Sequence, residues 1–368
     1  MRPTDTTNLS PSATGILGNN ISNNENNSTS NLTNNSNQLS HSVAPQTGGL
    51  RIAANPGLKI ARNVPTISYT LADGSLSKWD VPSWQVKLIE SKHRFPLAKY
   101  AVQAKHTGVL TSKEHQILLT IALAKSLSEE QIRRACKPLT NSTIYRRVDR
   151  LEQWGLVERR KFIGERDPEE KYPGIITLTD TGKDYIRLTE PGMHCMGSSD
   201  FLRSPNLPVN LIASNEIKLQ LIENDALITW QDHPQISTFG KVACSAQIAL
   251  SDGPLQLIME RISGMQRVDR FLTQRLEQLT AYAQRGERLL EDDFALVFIV
   301  PSDSSIQQLI EAYQIHTFRN TYKDYYQYVW FISHERLFSP LGFQKGLVGI
   351  GKSSITQRTL EYGNSDDY

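Results

Sequence analysis

The chain has 368 residues and 39% hydrophobic content, enough for packed cores in two domains of ordinary size. A net charge of +2 excludes a globally basic nucleic-acid binder, so affinity for nucleic acid has to come from local patches. Cys136, Cys195 and Cys244 are odd in number, widely spaced and without CxxC or Cys/His pairing, which argues against a disulfide framework and a zinc site and points to the reducing cytosol.

No apolar stretch reaches the roughly eighteen residues of a membrane span, and the N-terminus lacks the basic and apolar blocks of a signal peptide. The expectation is a cytoplasmic protein with no membrane partner. Residues 1–48 are rich in Asn, Ser and Thr, with eleven asparagines in the first fifty positions and almost no large apolar residue. Such a segment cannot bury enough surface to offset the entropy of ordering, so it reads as a disordered tail. Residues 49–106 form a mixed extension. There Ile67–Leu71 followed by Asp73-Gly74 suggests a strand and turn, and Trp79, Trp84, Val86, Leu88 and Ile89 suggest a small apolar cluster; base stacking is the competing role for the two tryptophans.

Residues 107–190 carry the clearest pattern. A first helix is expected from Ser112, its cap, to Leu127, with Ile117, Leu118, Ile121, Ala122 and Leu123 on one face. Ser128, followed by Glu129, Glu130 and Gln131, caps a short second helix that ends at Pro138. The third helix, Ser142 to Trp154, turns Ile144, Val148 and Leu151 inward and is stopped by Gly155. Its start and outward side offer Thr140, Asn141, Ser142, Thr143, Tyr145, Arg146, Arg147 and Arg150. Small hydroxyl and amide groups reach phosphates and base edges, and arginine can bond guanine in two places, so this is the composition of a helix that reads a major groove.

Strands at Leu156–Lys161 and Gly174–Thr179 flank a charged, turn-rich tip at 164–173 able to lie on a sugar-phosphate backbone. Arg159, Arg160, Lys161 and Arg166 complete the candidate contacts. Between Glu129 and Arg166 there are ten Lys/Arg against six Asp/Glu. A solvated charged face, or a protein-docking module, is the plainer alternative. The order of helix, Trp-Gly-Leu-Val-Glu-Arg, charged loop and Ile-Thr-Leu-Thr-Asp-Thr-Gly-Lys resembles winged helix-turn-helix regulators of the MarR type, and the resemblance implies double-stranded DNA as partner.

Residues 191–208, with Pro191, Gly192, Gly197, Pro205 and Pro208, read as a linker. In 209–345, strands are expected at 226–230, 241–250 and 255–262, a long helix at 265–290, a buried strand at 294–301, a helix at 304–313 and a strand at 328–333. That order implies a partly parallel sheet covered by helices. Residues 346–368 read as a C-terminal tail.

Trp230 at a strand end, Glu260-Arg261, the helix from Arg275 to Tyr282, Pro301-Ser302-Asp303 and the run Val329-Trp330-Phe331 to Phe338 follow one another in an order similar to the replication-relaxation family of plasmids and conjugative elements. That resemblance implies a winged helix followed by a mixed-sheet α/β domain like that of restriction endonucleases. The expected fold class is therefore α/β plus α+β. A nuclease of that fold needs carboxylates on two adjacent strands to hold magnesium, and a lysine just beyond the second. Here the partner strand offers Ser245-Ala246-Gln247, and Glu260 is followed by Arg261 and Ile262, so the domain reads as inactive.

Glu260 remains the one catalytic candidate, either with Asp232 or Glu223 at a metal or as half of an ion pair. His233, His316 and His334 read as surface histidines without relay spacing, and there is no Gly-rich phosphate loop. No metal and no cofactor are expected. The expected function is DNA binding for a mobile element, in plasmid replication, conjugative transfer or their regulation, with a second copy of the chain and replication or transfer proteins as further partners. A divergent metal-dependent DNA nuclease and a winged-helix adaptor for proteins are the alternatives.

Overall fold

A computed structural model describes residues 85–88, 97–137, 141–163, 174–202, 204, 207–236, 240–262, 268–284, 294–319, 328–350 and 355–367. The 1–48 tail, the strand at 67–71, Trp79, Trp84, the 164–173 tip, Thr140 and Arg166 lie outside them.

Helix α1 (Ala98–His106) precedes α2 (Ser112–Ala124). The cap of α2 is Thr111, one residue earlier than the sequence suggested, because Glu114 stands three positions on. The Thr111 N–H and hydroxyl each donate to the Glu114 carboxylate at 2.8 Å, and the Thr111 oxygen accepts from the Glu114 N–H. The helix ends at Lys125, forced to φ +66°, and Ser126–Ser128 then forms a short strand β2 that the helical reading to Leu127 had absorbed. These residues pair with β4 (Ile175–Leu178), which outweighs one more helical turn.

Ser128 caps α3 (Glu129–Ala135) in the expected way through Gln131. Helix α4 (Asn141–Gln153) seats on the others through Ile144, Val148 and Leu151, all fully buried. Gly155, at φ +72°, reverses the chain so that the Leu156 N–H reaches the Leu151 carbonyl, a closure that a side chain at Gly155 would strain. Strand β3 (Val157–Ile163) then pairs with β4 as an antiparallel hairpin, and β1 (Gln85–Leu88) adds to the other edge of β3, giving the order β1-β3-β4-β2. Thr179 caps α5 (Asp180–Thr189), which packs beside α1.

The 191–208 stretch is packed, contrary to its reading as a linker. It contains α6 (Ser198–Phe201), Phe201 is fully buried under the Arg160 guanidinium at 5.1 Å, and the Ser198 hydroxyl donates to Glu158. Helix α7 (Leu207–Glu223) follows and touches both halves of the protein. Residues 49–368 accordingly make one compact unit.

Beyond α7 lie β5 (Leu227–Asp232), the small hairpin β6 (Gln235–Ile236) and β7 (Gly240–Lys241), β8 (Cys244–Leu250), β9 (Gly253–Arg261), α8 (Val268–Gln284), β10 (Phe294–Val300), α9 (Asp303–Arg319) and β11 (Val329–Ser333). Then come α10 (His334–Leu337), α11 (Gly342–Gly346), β12 (Leu347–Ile350) and β13 (Ile355–Arg358). The seven-stranded sheet runs β13-β12-β11-β10-β9-β8-β5, with β9, β10 and β11 parallel and the flanking pairs antiparallel. Alternate residues of β10 face opposite layers: Ala295, Val297 and Ile299 meet α7, and Leu296, Phe298 and Val300 meet α8 and α9. Burial on both faces explains why Phe294–Val300 is apolar at every position.

Residues 346–368 are no tail, since β12 and β13 extend the sheet, and the chain end crosses back to bridge Tyr362 with Leu250. Gly349 and polar Thr356, Gln357 and Arg358 hid this hairpin from a hydrophobicity pattern.

Gly182 shows how closely α5 approaches β3. A methyl group there would lie 1.9 Å from the Leu156 carbonyl oxygen. Gly182→Ala is therefore expected to destabilise the fold by about 1–3 kcal/mol or more, read as an earlier midpoint in chemical denaturation. An unchanged midpoint would show that this close contact is absent.

Candidate nucleic-acid interface

Four of the six arginines proposed to meet DNA are engaged inside the protein. Arg147 donates to the Thr111 hydroxyl at 3.0 Å and lies 3.5 Å from the carboxylate of Glu114, which is fully buried. Arg150 reaches the same carboxylate at 3.2 Å, donates to the Val109 carbonyl at 2.8 Å and stacks on Trp154 at 4.1 Å. The two guanidinium groups thus neutralise the buried end of the α2 cap. Removing one would leave the buried carboxylate with the other guanidinium alone.

Arg159 is surrounded by Glu129 at 2.7 Å, Asp149 at 2.9 Å and Glu152 at 3.0 Å. Burial works against its charge, but these three carboxylates outweigh it and raise its already high pKa. Arg160 is buried, paired with Glu158 and bonded to the Thr177 hydroxyl. The local excess of basic residues counted along the sequence is largely consumed in this way.

What faces outward is narrower. Arg146 is exposed and makes no ion pair among the described residues, while Asp149 and Gln153 continue its stripe along α4. Thr143 and Tyr145 are half-buried, and Asn141 and Ser142 are the first two residues of α4. Lys161 occupies β3 opposite Lys87. Lys113 and Lys137 add exposed positive charge at the start of α2 and just after α3.

In the larger sheet, Glu260 is buried and paired with Arg275 of α8, a partner the sequence did not single out. Burial pushes its carboxyl up to about 7, against the opposing pull of Arg275 and a hydrogen bond from the Ala243 backbone. Its proposed metal-binding companions are paired with other cations. Glu223 pairs with Arg134 and Lys137, and Asp232 pairs with Lys125. Among the described residues no group of three or more His, Cys, Asp or Glu is placed to hold a metal ion.

His334 is a correction to the expected surface histidine. It is 1% exposed, neither ring nitrogen has a hydrogen-bond partner, and burial with the nearby Arg261 charge holds it neutral. The run around it has a structural role that spacing alone did not reveal. Ser333, capping α10, donates to the Asp303 carboxylate, and Arg336 donates to both oxygens of Asp303 at 2.9 and 3.0 Å. Glu335 accepts from the Asp303 N–H at 3.0 Å. The Pro301-Ser302-Asp303 and His334-Glu335-Arg336 runs are thereby joined where β10 and β11 end.

All three cysteines are free and buried. No described helix is long and apolar enough to cross a membrane. Comparison with models of known families, with curated proteins and with solved structures found nothing that matches this chain.

The state of Glu260 is open to measurement. Because its folded pKa lies above the ordinary 4.5, folding retains its proton between about 4.5 and 7. This contribution to stability is complete below 4.5 and is lost as the pH rises through about 7. Stability of the parent minus that of Glu260→Gln, measured by denaturant titration across this window, is expected to fall with pH. A flat or rising difference would mean that the carboxylate is ionised throughout.

Proposed function

We propose that the chain is a DNA-binding protein of a mobile genetic element, acting in plasmid replication, conjugative transfer or their regulation. In this reading residues 107–190 are a winged helix-turn-helix domain, with α4 docked in a major groove and the β3–β4 hairpin directed at the backbone. The observation that carries it is α4 itself, an amphipathic helix fully buried through Ile144, Val148 and Leu151, whose opposite side carries exposed Arg146 beside a two-stranded hairpin.

Arg147, Arg150, Arg159 and Arg160 take a different role from the one their sequence positions suggested. They hold α4 and β3 in place, and groove contact falls to Arg146 and the polar start of α4. We read the sheet domain, with β5-β8-β9-β10-β11 in spatial order and α7 and α8 on opposite sides, as restriction-endonuclease-like and without nuclease chemistry. The Glu260–Arg275 pair supports the inactive form, because the cation occupies the carboxylate that a magnesium ion would need.

Binding of the full chain to duplexes from its own genetic neighbourhood tests this. Arg146→Ala is expected to lose about 1–3 kcal/mol in specific binding. Arg147→Ala should instead lower the unfolding midpoint. Wild-type affinity in Arg146→Ala would remove α4 from the interface. Supercoiled plasmid incubated with magnesium or manganese should stay intact; nicking that disappears in Glu260→Gln would replace this reading with the nuclease.

A further inference from the structure

Four ionisable side chains that the α4 reading does not use meet where α1, α2 and α5 come together. His115 of α2 is at their centre. Its Nδ1 is 2.9 Å from the Tyr185 hydroxyl, and its Nε2 is 3.0 Å from the Lys105 ammonium and 3.1 Å from the Glu190 carboxylate. Lys105 stands in the last turn of α1, Tyr185 is on α5 and fully buried, and Glu190 closes α5. The imidazole side chain is 12% exposed and meets the Tyr185 ring edge to face, with 5.7 Å between centres.

One ring nitrogen thus faces two groups with opposite demands. An ammonium only donates and an ionised carboxylate only accepts, so Nε2 satisfies Lys105 when it is bare and Glu190 when it carries a proton. A charged imidazolium has two donors. It holds Tyr185 and Glu190 together and sets a positive charge 3.0 Å from the Lys105 ammonium. Lys105 is the member able to leave, since its side chain is 33% exposed and its other partner, Glu190, lies at 3.9 Å.

Helix α1 has little else to keep it in place. It buries only the alanines Ala98, Ala101 and Ala104, with Val102 half-buried beside them. Among the described residues Lys105 is its one side chain with a polar contact to α2 or α5. The turn that follows α1 supplies the Val109 carbonyl to Arg150 and the Thr111 hydroxyl to Arg147, the two arginines that seat α4.

We propose that Lys105, His115 and Glu190 form a proton-operated latch: proton uptake by His115 moves the imidazole contact from Lys105 to Glu190 and releases the end of α1. The turn after α1 carries this release to Arg147 and Arg150, so duplex binding through α4 weakens in acid. That output rests on the DNA-binding reading; the latch itself does not. Burial first, and Lys105 second, hold the imidazole neutral against the pull of Glu190, which places its pKa below the ordinary 6.5. The latch is therefore closed above pH 6.5 and opens as the pH falls below it. Burial and Glu190 keep the Tyr185 phenol protonated, and the neighbouring acid on α2, Glu114, is met by Arg147 and Arg150, so neither competes for this proton.

Hydrogen–deuterium exchange of the full chain reads the latch without DNA, with parent and His115→Gln compared at each pH so that the intrinsic exchange rate cancels. Opening of α1 in the parent is expected to rise by up to about tenfold per pH unit below 6.5, a dependence lost in His115→Gln and reduced in Lys105→Gln. Lys105 is partly exposed, so its variant keeps the test decisive even if His115→Gln does not fold. The titration midpoint of the His115 ring, followed by NMR, should rise in Lys105→Gln and fall in Glu190→Gln. A ring that titrates while α1 exchanges alike in parent and variants is an ordinary buried histidine, and overturns the latch. Duplex affinity that drops below pH 6.5 in the parent and not in His115→Gln joins the latch to α4. Proton-dependent exchange in a chain that binds no duplex supports the latch and fails the DNA reading alone.

Discussion

Helix α7 carries a polar face into the interior, and the joining of the two halves depends on it. Asn215 donates to the carbonyls of Ala124 and Ser126 at 3.1 and 2.7 Å, and Gln131 donates to the Ile212 carbonyl at 2.9 Å and to Glu216 at 3.0 Å. Arg134 closes the seam by pairing with Glu216 and Glu223. Hydrophobic contact tolerates sliding, but buried polar groups are satisfied in one register only, and a shift of one residue would strand several of them. The small helical unit and the large sheet therefore hold a defined orientation, and the turn at Lys125 is carried to Asp232 as a consequence.

A similar logic governs the arginines. Glu114 caps α2 and is wholly buried by α4, so its charge requires compensation, and Arg147 and Arg150 provide it. Arg159 answers three carboxylates on two elements. The candidate DNA surface is accordingly less basic than the count of ten to six along the chain implied. Among the α4 residues whose burial is described, Arg146, Asp149 and Gln153 are the exposed ones.

The sheet domain has spent its charged side chains on holding itself together. Glu260 with Arg275 ties β9 to α8, and Asp303 with Ser333 and Arg336 ties α9 to the end of β11. Both sets of residues occur in runs whose order along the chain suggested the family resemblance. Their contacts explain the same runs by the need to neutralise charge where strands end against helices.

Much of the architecture was legible in the sequence because it depends on local periodicity. Helices α2, α3 and α4, the Ser128 cap, the β3–β4 hairpin and the alternation of strands and helices from β8 to β11 all follow from spacing, capping residues and glycine positions. Helices α1, α5 and α7 escaped, the last because its apolar and polar residues are mixed around the helix without a single stripe and it begins in a Pro-containing stretch; β2, β12 and β13 escaped because strands of three or four residues take their identity from the strands they pair with. The sequence by itself determined which segments could be helices or strands and which carried charge. Only the tertiary structure decided which charges are neutralised, because Glu114 and Arg147, Glu260 and Arg275, and Lys125 and Asp232 meet across distances along the chain that no local pattern encodes.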